Sequence, residues 1–320
     1  MPQPAAYAAP VMRRTVGGRY VLEQPLGEGG TGRVYRARSP RGEPVALKLL
    51  AASHAVDDNA RARFRHEAQL ASTLAAHPNI VSVIDHGEDP AFGEYLVMEL
   101  VDGTPLVHAV PMPRRRACHI LGQIADALSH IHARGVVHGD VKADNILLAD
   151  DVARLLDFGL ARRRDAPASN ADHVAGSPHY LAPERAAGWP PSIAADIYAL
   201  GVLGFLVVTG ALPFAGNVVE ILMAHISHPP PSLGLSRGDR IAAGLEALIT
   251  RAMAKAPQQR HPSAAAFRAE LDALDTPSRL AVGTREELHR ITLDEENRAN
   301  VGHGCSAAPV GDPEGRRRGE

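Results

Sequence analysis

The sequence predicts an α+β fold of two lobes, a small strand-rich one over residues 18–101 and a larger, mostly helical one over 102–274. Three observations point there. Residues 20–50 break into short β-prone runs, YVLEQPL, RVYRAR and VALKLL, with the turn Ser39-Pro40-Arg41-Gly42 before the last. Beyond Asp102-Gly103 the apolar residues recur at helical spacing in long segments. The chain, 320 residues with 45% hydrophobic side chains, is long enough to bury a full core.

Taken in order, residues 1–17 are expected to be disordered. In MPQPAAYAAPVMRR prolines stand where a signal peptide has its apolar run, and the arginines follow it instead of preceding it. After the three β runs, Asp57 to Leu74 reads as an amphipathic helix with Asp57 and Asp58 available as caps. NIVSVID and YLVMELV suit strands, and helices are expected over Arg114 to Arg134, 195–208 and 241–254. Ile197 to Val219 carries no charge and is long enough to cross a bilayer. Thr209-Gly210 and Pro213 break it, however, so a buried helix followed by a loop explains it as well. Residues 275–320 read as a mostly disordered tail with one candidate short helix, REELHRITLDEENR.

A formal charge of −2 gives no reason to expect a nucleic-acid partner. The two cysteines, Cys118 in a helical pattern and Cys305 in the tail, make neither a disulfide framework nor a metal-ligand spacing, which fits a reducing cytoplasm. The 16 histidines are scattered singly and suit surface or satisfied core positions better than a metal site.

Four stretches carry chemistry. LGEGGTGRV holds Gly27, Gly29 and Gly32. A dinucleotide fingerprint needs a helix after its glycines, yet here RVYRA continues as strand. The glycines therefore turn a hairpin, either a plain turn or one whose backbone N–H groups approach phosphate oxygens. Lys48 sits in the middle of the apolar run VALKLL, where an ammonium is costly unless paired. Glu67, on the following helix, is a suitable partner; snorkelling from an edge strand is the alternative. LLDFG ends a β run in Asp157, a carboxylate suited to a hard cation such as Mg²⁺. Between them, VVHGDVKADNILL offers Asp140 to orient the proton of an attacking hydroxyl, Lys142 to steady a phosphoryl group and Asn145 to hold a metal by its amide oxygen.

In this order the residues resemble the eukaryotic-like protein kinases, specifically the bacterial Ser/Thr kinases, over about residues 18–274. The resemblance implies ATP and Mg²⁺ as cofactors, Mn²⁺ being acceptable, and proteins as substrates. It implies that Leu26, Gly27, Gly29, Gly32 and Val34 cover the nucleotide and that Ala46 and Leu147 sandwich the adenine with Val34. Lys48 and Glu67 would bridge the lobes, and Glu99 and Val101 would supply hinge backbone bonds behind a Met98 gatekeeper. Asp140 would be the catalytic base beside Lys142, and Asn145 and Asp157 the metal ligands. GSPHYLAPER looks like the acceptor-docking segment, with Glu184 paired to Arg260, and DIYALGV like the family's buried central helix, with Asp196 bonded to the catalytic-loop backbone. That assignment removes the membrane span.

Two departures stand out. The family's His-Arg-Asp reads His-Gly-Asp here, and the missing arginine is the one that receives an activation-loop phosphate. With Gly139 in its place, and Ser169 the only hydroxyl side chain between Gly159 and Gly176, activity independent of loop phosphorylation is expected. The stretch TPLVHAVPMP is also short for the helix usual at that point. His-Gly-Asp accompanies the antibiotic and choline phosphotransferases too, which makes a small-molecule phosphotransferase the rival reading. Lys142, Ser177 and Ala182-Pro183-Glu184 favour the protein Ser/Thr kinases. A pseudokinase binding module would need a missing group, and Lys48, Glu67, Asp140, Asn145 and Asp157 are all present.

Overall fold

Six antiparallel strands form the N-terminal sheet, in the order β1-β2-β3-β4-β6-β5. They are β1 (Thr15–Val16), β2 (Tyr20–Gly29), β3 (Gly32–Arg38), β4 (Pro44–Leu50), β5 (Val83–Asp89) and β6 (Gly93–Glu99). The computed structural model describes residues 14–29, 32–51, 57–74, 76–158, 160–163, 176–235 and 240–275. The register of β2 against β3 shifts on both sides of Pro25, which has no N–H to give the ladder. Along β4 the side chains alternate. Val45, Leu47 and Leu49 join Val16, Tyr20, Ala37, Tyr95 and Val97 on one face, and Leu50 joins Phe64, Ala68 and Leu96 on the other. Helix α1 (Asp58–Thr73) docks on that second face through Phe64 and Ala68, one helical turn apart.

The helical lobe consists of α2 (Arg114–Ala133), α3 (Pro183–Ala186), α4 (Ile193–Thr209), α5 (Val218–Ser227), α6 (Arg240–Ala252) and α7 (Ala264–Asp275). Short ladders are added by β7 (Thr104–Pro105), β8 (Val136–Val137), β9 (Ile146–Ala149), β10 (Val152–Leu155) and β11 (Arg162–Arg163). Its core holds Ile120, Leu121, Ile124 and Leu128 of α2 against Leu200 and Leu203 of α4, Leu248 of α6 and Phe267 of α7. Helix α4 is buried along nearly its whole length. The Ser192 side chain accepts from Ala195 N at its start, and Gly210, at φ 78°, ends it. The uncharged run is therefore a core helix and a loop, and among the described residues no helix is long and apolar enough to cross a membrane. Backbone bonds from Val81 N to Leu155 O (3.0 Å) and Leu155 N to Asn79 O (2.9 Å) tie the segment before β5 to the helical lobe.

Several expectations need correction. The strand expected over NIVSVID starts only at Val83 and continues through His86-Gly87-Glu88-Asp89, because residues 79–81 bond to Leu155 instead. Thr15 and Val16, expected within a disordered lead, pair with β2, and Val16 is fully buried. Helices α5 and α7 were not anticipated from the sequence pattern. In the short stretch before α2 a single 3₁₀ turn, Leu106–Ala109, stands where a longer helix is usual. Residues 1–13 and the tail from 276 lie outside the described residues, as do Gly159 and Ser169.

Candidate active site

The site divides into two hydrogen-bonded sets. In the first, the alternation of β4 turns Lys48 toward α1, where Phe64 and Ala68 anchor the helix at the height that brings Glu67 to it. Lys48 Nζ lies 2.9 Å from Glu67 Oε1 and 3.1 Å from Asp157 Oδ1, and 5.7 Å from the centre of the Phe64 ring. One ammonium thus serves two carboxylates. Burial works against the charge of Lys48, but Glu67 and Asp157 outweigh it and hold its pKa above the ordinary lysine value. Burial pushes Glu67 up to about 7, with Lys48 opposing the rise and Asp157 adding to it. Asp157 takes a left-handed backbone, φ 56°, which is uncommon and strained for a residue with a Cβ.

The second set is built on the loop after β8. His138 N and Gly139 N each donate to Asp196 of α4, at 2.8 Å, and His132 Nε2 of α2 lies 2.8 Å from the same carboxylate. Burial alone would raise Asp196. The His132 hydrogen bond and charge, His138 and the Gly139 N–H reverse that and hold it below the usual carboxylate range. Gly139 has φ +80°, and a Cβ there would lie 2.8 Å from the Leu160 carbonyl oxygen, so glycine is required twice over. His138 Nε2 reaches Leu156 O (3.1 Å), and its ring packs 5.2 Å from that of Phe158. The loop is thereby tied to the backbone that carries Asp157.

With its backbone held this way, Asp140 gathers the remaining groups. Lys142 Nζ is 2.6 Å from Asp140 Oδ2 and 2.9 Å from Ser177 Oγ, while Ser177 donates to Asp140 Oδ1 through Oγ (3.1 Å) and N (3.2 Å). The 3₁₀ turn Ala143–Asn145 swings Asn145 back, so that its Nδ2 donates to Asp140 O (2.9 Å) and Oδ2 (3.1 Å). With the amide nitrogen so engaged, Asn145 has its oxygen to offer a cation, and the partly exposed Asp157 carboxylate is a second oxygen donor. Two hard oxygen donors suit a divalent ion that takes its other ligands from water and phosphate, as Mg²⁺ does.

Of the other predicted residues Ala46 shares β4 with Lys48, and the rest lie on other strands or, for Val101, just beyond β6. Val34 is opposite Lys48 across β3 and β4, and Ala46 opposite Met98 across β4 and β6. Leu147 lies on β9 opposite Pro105. Glu99 accepts from Ser82 N (2.8 Å) and Arg154 Nη2 (2.8 Å) through its side chain, and Val101 follows two residues later. Leu26, Gly27 and Gly29 lie on β2, and Gly29 is opposite Gly32. The glycines differ in kind. A Cβ on Gly32 would lie 2.0 Å from Leu49 O, so packing demands glycine there, whereas a Cβ on Gly27 would meet nothing within 4 Å. Packing does not explain Gly27, which borders open space.

The stretch GSPHYLAPER carries Ser177 near its start and Glu184 near its end, and Glu184 forms a bidentate pair with Arg260 at 2.6 and 2.7 Å. The buried guanidinium also donates to Ala194 O, Ala254 O and Lys255 O. Sequence reasoning missed His132, which looked like one more scattered histidine; its position near the end of α2, facing α4, is visible only once the helices pack.

Comparison with known proteins agrees with this geometry. Residues 20–270 match the protein kinase domain family, and the chain belongs to that family. It is 38% identical over 283 residues to serine/threonine-protein kinase pkn3 of Myxococcus xanthus, covering 83% of this chain and 52% of that protein. It is 40% identical over 262 residues to Pkn1 of the same organism, covering 78% and 37%. With PknA of Mycobacterium tuberculosis the identity is 39% over 265 residues, covering 79% and 60%. The chain thus spans about half the length of the curated relatives it matches.

Proposed function

We propose that this chain is a protein serine/threonine kinase that transfers the γ-phosphoryl group of ATP to Ser and Thr hydroxyls of proteins. The observation that carries this reading is Ser177, a hydroxyl held at 3.1 Å from Asp140 and 2.9 Å from Lys142. It marks a place where a carboxylate accepts from an alcohol beside a cation, on the segment that ends in Glu184. Asp140 would take the acceptor proton, Lys142 would steady the transferring group, and Lys48, fixed by Glu67, would orient the phosphates. Leu26, Gly27, Gly29, Gly32, Val34, Ala46, Met98, Glu99, Val101 and Leu147 would form the nucleotide cleft. Asn145 and Asp157 would hold Mg²⁺, with Mn²⁺ acceptable. When bound, ATP and its cation supply the transferable group and neutralise its charge. Residues 18–274 would be the catalytic domain, divided at 101/102, acting in the cytoplasm.

Purified protein incubated with labelled ATP, Mg²⁺ and casein, followed by phosphoamino-acid analysis, tests this. Label is expected on Ser and Thr, and Asp140→Asn and Lys48→Met should each lower transfer by about a hundredfold or more while the fold survives. Turnover of an aminoglycoside or choline with no labelled protein would favour the small-molecule phosphotransferase instead.

The finer reading is activity without loop phosphorylation, since Gly139 has no side chain with which to clamp a phosphate. Ser169→Ala and wild type, both phosphatase-treated, should then transfer at equal rates. A mutant tenfold slower, about 1.4 kcal/mol in the barrier, with wild type recovering on autophosphorylation, would refute it.

A further inference from the structure

His225 of α5 belongs to neither hydrogen-bonded set, yet it is completely buried and both ring nitrogens are engaged. Nδ1 is 2.8 Å from the Tyr198 hydroxyl, and Nε2 is 3.0 Å from the carbonyl oxygen of His179. A carbonyl only accepts, so Nε2 must carry the proton. In the neutral ring Nδ1 then accepts from the Tyr198 O–H. A directed chain of bonds runs from α4 through α5 to the turn Pro178–Tyr180, next to Ser177.

The surroundings keep the imidazole neutral and in place. Phe214 packs edge-on against it at 4.9 Å. Lys255 donates to His225 O (2.8 Å) and Ala224 O (3.3 Å), and lies 5.0 Å from the centre of the Phe214 ring. Burial, with Lys255 adding to it against the opposing bond to His179, brings His225 down to about 4. The direction of the chain therefore holds throughout the neutral pH range. The docking segment is gripped at four points: Ser177 by Asp140 and Lys142, the His179 carbonyl by His225, the Tyr180 hydroxyl by Ala143 N, and Glu184 by Arg260.

We propose that His225 is a positioning residue for the protein acceptor, fixing through the His179 carbonyl the segment that presents an acceptor hydroxyl to Asp140. The inference rests on the kinase reading above and adds a residue that touches neither nucleotide nor acceptor. The test compares His225→Phe, which keeps a ring and removes both bonds, with His225→Gln, whose amide N–H can still donate to His179 O. In His225→Phe the KM for casein should rise about tenfold with the KM for ATP within about twofold of wild type, and His225→Gln should recover most of the loss. Amide hydrogen exchange over residues 177–182 should quicken in His225→Phe and not in His225→Gln, with α2 and α4 unchanged. An unchanged casein KM in folded His225→Phe, equal impairment by the glutamine variant, or a loss shared equally by the ATP KM would overturn the inference. If wild type transfers no phosphate, the kinase reading fails by itself. The exchange pattern then decides: quickening confined to 177–182 upholds the fixing role, and unchanged exchange removes it.

Discussion

Glu67 and Asp196 are buried almost equally, at 4% and 1% exposure, yet their proton affinities move in opposite directions. Burial pushes both upward, so the difference lies in the donors. Asp196 receives two backbone N–H groups, fixed by the loop itself, and an imidazole. Glu67 receives a hydrogen bond from one ammonium, on a flexible stem, and Asp157 draws on the same ammonium. Backbone donors already in place hold a buried charge better than a shared lysine. The first arrangement makes an anchor and the second an adjustable joint.

The pH linkage has opposite signs at the two sites. Asp196, depressed in the fold, contributes stability above the unfolded carboxylate value of about 4 and loses it as pH falls through its lower folded value. Glu67, raised, favours the fold most below the unfolded value and loses that contribution as pH rises through about 7.

The severest way to break the comparison is Asp196→Ala, which strands three donors in the core. It should cost about 3–5 kcal/mol in chemical unfolding, and a loss below about 1 kcal/mol would mean that the anchor is not one. Next in size, Glu67→Gln should flatten the decline in stability between about pH 4 and 7, measured as Tm against pH. In transfer assays, wild type should show an acid limb near pH 7 that the glutamine variant lacks; a limb persisting in the variant would assign it to another group. The smallest change sharpens the contrast. His132→Phe removes one donor of the three, so about 1.5 kcal/mol should be lost at neutral pH, with acid unfolding moved upward in pH. If it costs as much as Asp196→Ala, the count of donors is not what holds the charge.

The candidate site side chains stand out in the sequence because each is a polar residue in an apolar frame: Lys48 within VALKLL, Asp140 to Asn145 between VVHG and ILL, Asp157 after two leucines. Such placements have few purely structural reasons, and their order narrowed them further. What the sequence hid is non-local. The start of β5 depends on residues 79–81 preferring the backbone of Leu155, a partner more than seventy positions away. The glycine demanded at 32 depends on a carbonyl of the neighbouring strand, while the one at 27 looks identical in sequence and has open space. His132 and His225 are single histidines, indistinguishable by local sequence from the others until helix packing gives each a partner.

Gly139 bears on how this sequence can change. Any other residue there needs both a left-handed backbone and a shift of the Leu160 carbonyl oxygen, 2.8 Å from where its Cβ would sit. The two adjustments lie in different segments, so the fitness of a side chain at 139 is epistatic with the backbone that follows Phe158. A mutational path toward an arginine at 139 has to loosen that second segment first or pass through a strained intermediate. A library that randomises position 139 alone samples mostly such intermediates, whereas one that varies 139 together with 160–163 can reach sequences in which the two segments have moved apart.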